Sequence, residues 1–351
     1  MFRLHARRLT AVVAAVAVVL AMAGCASNDA TPGNSDAAAP VTLTIYSDQH
    51  ASLVTALTEA YTAETGVKFN IQQDATFGQI EAEGAASPAD IFLSEDPSPV
   101  AHLAKAKLLE PLDASTMEHV QPGLSDPNNL WVAYAARTRV LFYNPTLISE
   151  ADLPKSLLEI ADPKYKGEFA WAPSGAFVAT AQYLISTIGI EKTTAFLTAI
   201  KSNGIDEQKN GNVRDTVEAG KHAMGLSNHY YWWVKAAEVG GAANMTSKIY
   251  HFPETDAGNL VLSSGAAILA SSKHKAEAAK FLGWLTEATA GQKIVAGGDI
   301  DTSEGQYPVA LGTSSAIAGS LGDIKSPMYD MSIYGDQSEA ENLLKKLGIS
   351  G

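Results

Sequence analysis

The stretch from Val41 to Ile71 changes its hydrophobic period twice, and that change limits the possible folds more than any other feature. Val41-Thr42-Leu43-Thr44-Ile45-Tyr46 alternates and is rich in β-branched residues, which predicts a strand. From Ser52 to Glu64, Leu53, Leu57 and Tyr61 recur at helical spacing, and Gly66 closes the segment. Val67 to Ile71 then alternates again, completing a β-α-β unit. The pattern continues: Asp90 to Leu93 predicts a short strand after the turn signal Ser87-Pro88, and Trp131 to Tyr143 predicts extended chain. Helices are expected over Phe177–Ile188, Thr193–Ile200, Val213–Glu218, Lys275–Glu287 and Ser338–Leu347, with Leu260–Ser263 strand-like. Alternation of this kind predicts an α/β architecture. No internal repeat or low-complexity tract interrupts it.

The N-terminal end reads as an export signal. Arg3, Arg7 and Arg8 precede an unbroken apolar run from Ala11 to Met22, too short for a usual membrane span. The run ends in "LAMAGC", which resembles a bacterial lipobox, so the single cysteine of the chain, Cys25, is the expected lipidation site and membrane attachment. Residues 1–25 are then a lipoprotein signal peptide. Residues 26–40, small, polar and proline-containing, read as a flexible tether. The remaining chain, about 310 residues, exceeds a usual single domain and predicts two lobes without disulfides. The formal charge is −13, and loss of the leader arginines makes the rest more acidic still. No basic stripe is left for a nucleic acid.

In open α/β sheets, ligands bind beyond the carboxyl ends of the strands. Three strand ends stand out. The first is followed by Ser47-Asp48-Gln49-His50, "ADIFL" by Ser94-Glu95-Asp96, and Ala223-Met224-Gly225-Leu226 by Ser227-Asn228-His229-Tyr230-Tyr231. Together they offer an imidazole, a carboxylate and two phenols. Neighbours in a regular strand face opposite ways, so Tyr230 and Tyr231 share a partner only if the backbone bends there. Phenolate discriminates between ions. Its pKa near ~10 makes ionisation at pH 7 cost roughly 4 kcal/mol, and two adjacent phenolates cost more. A strongly Lewis-acidic ion offsets that, and ferric iron is the biological candidate.

These pieces resemble the bacterial periplasmic ferric-ion-binding proteins, transferrin-like binding subunits of ABC importers. The resemblance covers most of residues 41–350 and rests on "YSDQH", "SPADIFLSE", "LLEPLDAST", "RTRV", "SGAF", "KNGNV", "NHYYWW" and "SGAAIL", in that order. It implies a two-lobed periplasmic-binding-protein fold with a ligand cleft and a crossover hinge. Lobe 1 is expected over 41–137 and 261–311, and lobe 2 over 138–260 and 312–351. It implies His50, Glu95, Tyr230 and Tyr231 as ligands of Fe(3+). A synergistic anion, phosphate or carbonate, would complete the coordination. Ser174, Gly175 and Ala176 match the anion-binding turn, which would open a helix whose N-terminal amides attract anions. Asn210 and Asn228 match further anion contacts, Arg137 a cleft arginine, and Gln49 is a candidate supporting donor. The partners implied are an ABC permease and its ATPase, with a monomer as the expected state. The sequence departs from the pattern at Asp96, where some relatives have an amide, and at His229, where they can have Asn.

Each of these residues also has an ordinary reading. A lone histidine at a strand end is usually surface, tyrosine pairs usually pack, and one of Arg137 and Arg139, alternating on one strand, could pair with an acid. Trp232 and Trp233 are read as packing, and His102, His119, His222, His251 and His274 as surface. Their joint placement is what raises the four ligands above these readings. A second reading keeps the fold and lets the aromatics enclose thiamine, a polyamine or a phosphonate. An exported enzyme is disfavoured: the chain has no "HExxH" and no convincing nucleophile or acid–base pair.

Overall fold

A computed structural model describes residues 41–349; Cys25, the signal segment and the tether lie outside the described residues. Nine strands form the frame: β1 (Thr42–Ser47), β2 (Lys68–Gln73), β3 (Ile91–Ser94), β4 (Val132–Tyr143), β5 (Phe169–Trp171), β6 (Ile205–Asp206), β7 (Met224–Asn228), β8 (Lys248–Tyr250) and β9 (Val261–Ile268). They hydrogen-bond in the order β2-β1-β3-β9-β4-β7-β5-β6, with β8 also on β4. The β-α-β unit read from the sequence is present. β1 runs parallel to β2 and β3, and the helix Ala51–Thr65 connects β1 to β2. β5 likewise lies parallel to β6 and β7.

β4 joins the two parts of this frame. Its residues Val132–Thr138 pair antiparallel with β9, while Arg139–Tyr143 pair with β7. The partner changes between Thr138 and Arg139, where the Arg139 N–H bonds to the Leu260 carbonyl just before β9, at 2.9 Å. All twelve residues of β4 are buried, which suits a strand covered on both faces. Two main hydrophobic clusters lie on either side of that change. One gathers Leu43, Ile45, Phe92, Trp131, Tyr134 and Phe281, and the other Leu141, Phe169, Trp171, Phe177 and Phe252. After residue 312 the chain serves both. Leu321, Met331 and Tyr334 pack in the first cluster, whereas Ala340, Leu343 and Leu344 of the helix Ser338–Lys346 pack in the second.

Several boundaries move from their expected positions. The helix expected from Phe177 begins at Gly175, and the one expected from Val213 begins at Asn210. Apolar periodicity starts only at the first core-facing residue, so it cannot mark a polar or glycine first turn. The strand expected over Leu260–Ser263 continues to Ile268, because Ser263 and Ser264 pair with β4, Gly265 and Ala266 with both β3 and β4, and Ala267 and Ile268 with β3, all in the interior.

Candidate metal centre

Asn228 ends β7, and His229 begins the helix His229–Glu238. The backbone bend that two neighbouring phenols require is therefore a strand-to-helix corner. Tyr230 and Tyr231 sit in the first turn of that helix with their rings stacked, centroids 4.4 Å apart and inclined by 27°. The Tyr230 hydroxyl donates to Glu95 Oε1 at 3.4 Å, and its ring meets His50 edge-on at 5.8 Å. His50 Nε2 lies 3.7 Å from Glu95 Oε2. The structure thus brings His50, Glu95 and Tyr230 together, with Tyr231 against Tyr230. Donors spaced this way suit an ion with bonds of about 2 Å, around which octahedral ligands lie about 3 Å apart when adjacent and about 4 Å when opposite. Among the described residues no three His, Cys, Asp or Glu side chains form a ligand group by themselves.

The backbone holds each donor in place. His50 is the N-cap of the helix Ala51–Thr65, and its N–H donates to the buried Gln49 Oε1 at 2.9 Å. Gln49 Nε2 in turn donates to Ser264 at 3.0 Å, so Gln49 links the His50 backbone to β9. Glu95 follows β3, and its N–H donates to Asp48 Oδ1 at 2.7 Å. Its carbonyl accepts from the Ser264 hydroxyl at 3.0 Å and from Arg137. Arg137 also pairs with Asp96, which identifies it as the arginine of the strand that meets an acid. Arg139 donates to Asn228 Oδ1 at 2.7 Å, while its Nε and second terminal nitrogen have no protein partner.

Two carboxylates at the site carry no role in the sequence reading. Asp48 stands in the quoted "SDQH" segment, where position at a strand end was a usable signal. Glu304 has no such signal; it reaches the site through tertiary packing, with Oε2 2.5 Å from His50 Nδ1.

The electrostatics favour a cation. Tyr230 is pushed well above the ordinary phenol value by burial first, then by the Glu95 charge and by Tyr231, with Arg137 pulling the other way. Asp48 is raised to about 7, mainly by burial. On His50 burial pulls down, but the carboxylates of Glu304 and Glu95 outweigh it and raise the value. Arg137 is raised although burial opposes this, because Asp96 and Glu95 face it. A trivalent ion would reverse the cost on Tyr230 by stabilising its phenolate.

Ser174 is the N-cap of the helix Gly175–Ile188, its hydroxyl without a partner, and Ala176 is buried in the first turn. A Cβ at Gly175 would lie 3.4 Å from Asp96 Oδ2, so this turn faces the Glu95–Asp96 corner. Asn210 opens the helix Asn210–Glu218, buried and with its side-chain oxygen unpaired. Trp232 is core: it packs with Val140 and Phe142 and donates to the Ser247 carbonyl at 3.1 Å, with Trp233 against the same cluster. His222 and His251 depart from the surface reading. His222 is half-buried and 2.7 Å from Glu207, and His251 is half-buried with its value lowered by desolvation.

The family description of the bacterial extracellular solute-binding proteins matches residues 47–292. The chain is 38% identical over 287 residues to the Fe(3+)-binding periplasmic protein of Serratia marcescens, covering 81% of this chain and 83% of that protein. It is 33% identical over 337 residues to the major ferric iron-binding protein of Neisseria meningitidis, covering 94% and 98%. The crystal structure of iron-bound HitA from Pseudomonas aeruginosa is similar with a TM-score of 0.77 at 34% identity, covering 88% of this chain and all of that one. These relatives are binding proteins rather than enzymes, and their fold is the two-lobed α/β fold expected from the sequence. The chain belongs to the bacterial extracellular solute-binding proteins, and among them to the periplasmic ferric-ion-binding proteins.

Proposed function

We propose that this chain captures ferric iron with a small synergistic anion and delivers it to an ABC permease driven by its ATPase. The observation that carries this reading is the meeting of the Tyr230 phenol, the Glu95 carboxylate and the His50 imidazole, with Tyr231 stacked beside Tyr230. His50 and Glu95 come from the part of the sheet containing β1 and β3, and the tyrosines from the end of β7. An ion bound by all four would tie the two parts together, so binding and closure would be coupled. The partner change of β4 at Thr138/Arg139 supports a hinge there. The packing of Leu321, Met331 and Tyr334 supports assigning residues 312–335 to lobe 1, leaving the helix Ser338–Lys346 to lobe 2.

The anion would sit where phosphate or carbonate meets the amides of Gly175 and Ala176, with Ser174 and Asn210 as unpaired donors and acceptors. Arg139, beside Asn228, supplies the positive charge, because Arg137 is engaged by Asp96 and the Glu95 carbonyl. Lipidation at Cys25 would hold the protein, as a monomer, at the outer face of the cell membrane. The burial of Trp232 and its bond to Ser247 count against a ring-stacking site for an organic ligand.

Competition against a ferric chelator tests the reading. Tyr230→Phe and Tyr231→Phe should each weaken ferric binding by more than about a hundredfold, beyond the range usual for supporting residues, and by more than His50→Ala. Parental affinity in either tyrosine variant would contradict it.

A further inference from the structure

Ser264 lies on neither of the segments that carry His50 and Glu95, yet its hydroxyl bonds to both. It is fully buried in β9, where it accepts from Gln49 Nε2 at 3.0 Å and donates to the Glu95 carbonyl at 3.0 Å. The two ends of this chain of bonds fix its direction. A backbone N–H only donates, and a backbone carbonyl only accepts. The His50 N–H, 2.9 Å from Gln49 Oε1, therefore turns the Gln49 amide with its nitrogen toward Ser264. Ser264 accepts there, and its single proton is left for Glu95. Arg137 donates to the same carbonyl, so both of its lone pairs are used.

The strand gives this hydroxyl a fixed seat. β9 lies between β3 and β4, with Ser264 opposite Ala135 and Gly265 opposite both Ser94 and Ala133. A Cβ at Gly265 would collide with Val100 and lie 3.2 Å from Trp131, so the strand has no room to slide. Neighbours on a strand face opposite ways, and a slip of one residue would exchange their faces. Ser263 accordingly points away from the site and donates to the Leu124 carbonyl at 2.7 Å, while Ser264 points toward it. Asp48 ties the same two segments by accepting from the Glu95 N–H at 2.7 Å. Loss of the Ser264 hydroxyl would therefore loosen the corner without releasing it.

We propose that Ser264 is a positioning residue for ferric binding: from β9, its hydroxyl sets the spacing of the His50 and Glu95 backbones and so of the two side chains they carry. The effect on affinity rests on the ferric reading; the chain of bonds is a property of the iron-free protein. By chelator competition, Ser264→Ala should bind ferric iron about 10- to 100-fold more weakly, and Ser264→Thr, which keeps the hydroxyl, should recover most of that. Gln49→Ala interrupts the same chain from the β1 side and should weaken binding similarly, so the test does not depend on one variant folding. The double variant Gln49→Ala/Ser264→Ala should bind no more weakly than the weaker single variant. Ser263→Ala removes a buried hydroxyl from the other face of the same strand. It should lower the thermal midpoint comparably yet keep the parental affinity. Parental affinity in Ser264→Ala, or an equal loss in Ser263→Ala, would overturn the proposal. Amide hydrogen exchange on the iron-free protein reads the bonds directly: protection of the His50 N–H should fall in Ser264→Ala but not in Ser263→Ala, and unchanged protection would also overturn it. If the parent bound no ferric iron, the ferric reading would fail, while the exchange result would still decide whether Ser264 holds the His50 backbone.

Discussion

Burial without a counter-charge sets the state of His229. Its Nδ1 accepts from the Thr138 N–H at 3.3 Å and its Nε2 lies 2.9 Å from the Gly305 carbonyl, so one neutral tautomer satisfies both partners. It stacks on Tyr307 at 4.5 Å, and desolvation pushes its value down from 6.5 to about 3. Between those values the unfolded chain holds a proton that the folded chain does not. The contribution of His229 to stability is thus complete above 6.5 and fades as pH falls toward 3, by up to about 1.4 kcal/mol per pH unit. Asp48, raised to about 7, works in the opposite direction: its contribution is present at low pH and is lost as pH rises through 7. The two partly cancel in the parent. Denaturant unfolding between pH 4 and 6.5 should therefore fall less steeply with acid in His229→Asn than in the parent, and equal slopes would mean that His229 is not held neutral. His229→Ala should cost about 3 kcal/mol, because it opens space beside Tyr307 and leaves the Thr138 N–H and the Gly305 carbonyl unpaired.

At the level of elements, the tyrosine corner depends on how closely β7 approaches the helix Asn210–Glu218. A Cβ at Gly225 would come within 2.5 Å of Val213 Cγ1 and 3.0 Å of Val217 Cγ2, three residues before Asn228. Gly225→Val should lower stability by about 2 kcal/mol and weaken ferric binding as the corner shifts, measured by thermal unfolding and chelator competition. Unchanged values for both would mean that the strand has room to spare. Elements of this kind were legible where one face is apolar and the other is not, as in Ala51–Thr65, whose Leu53, Leu57 and Tyr61 are all buried. They were less legible at polar helix starts, as at Gly175 and Asn210, where the first turn contributes amides rather than core. The site shows the same division. His50, Glu95 and Tyr230 follow strands and were readable from that position. Glu304 was not, because its place depends on a turn folding back from a remote part of the chain, and nothing in "DTSEGQY" marks it.

For the whole molecule, the account makes iron binding a competition with protons. Tyr230 is held well above the ordinary phenol value, so it is protonated at neutral pH and must give up its proton to become a ligand. With both phenols bound, ferric affinity should fall by up to about two decades per pH unit on acidification, from proton release alone. Affinity independent of pH between 5 and 8 would argue against phenolate ligation. Closure around the ion should also reduce the radius of gyration in solution scattering when ferric iron and phosphate are added together, and Tyr230→Phe should abolish that change. The most direct measurement is an optical titration of residues 41–351 with ferric iron near neutral pH, in the presence of phosphate or carbonate. Tyrosinate bound to ferric iron absorbs visible light by charge transfer. The account predicts a colour that saturates at about one ion per chain, as one site requires, and is lost in the double variant Tyr230→Phe/Tyr231→Phe. A chain that stays colourless with either anion, or a double variant that keeps the colour, would contradict it.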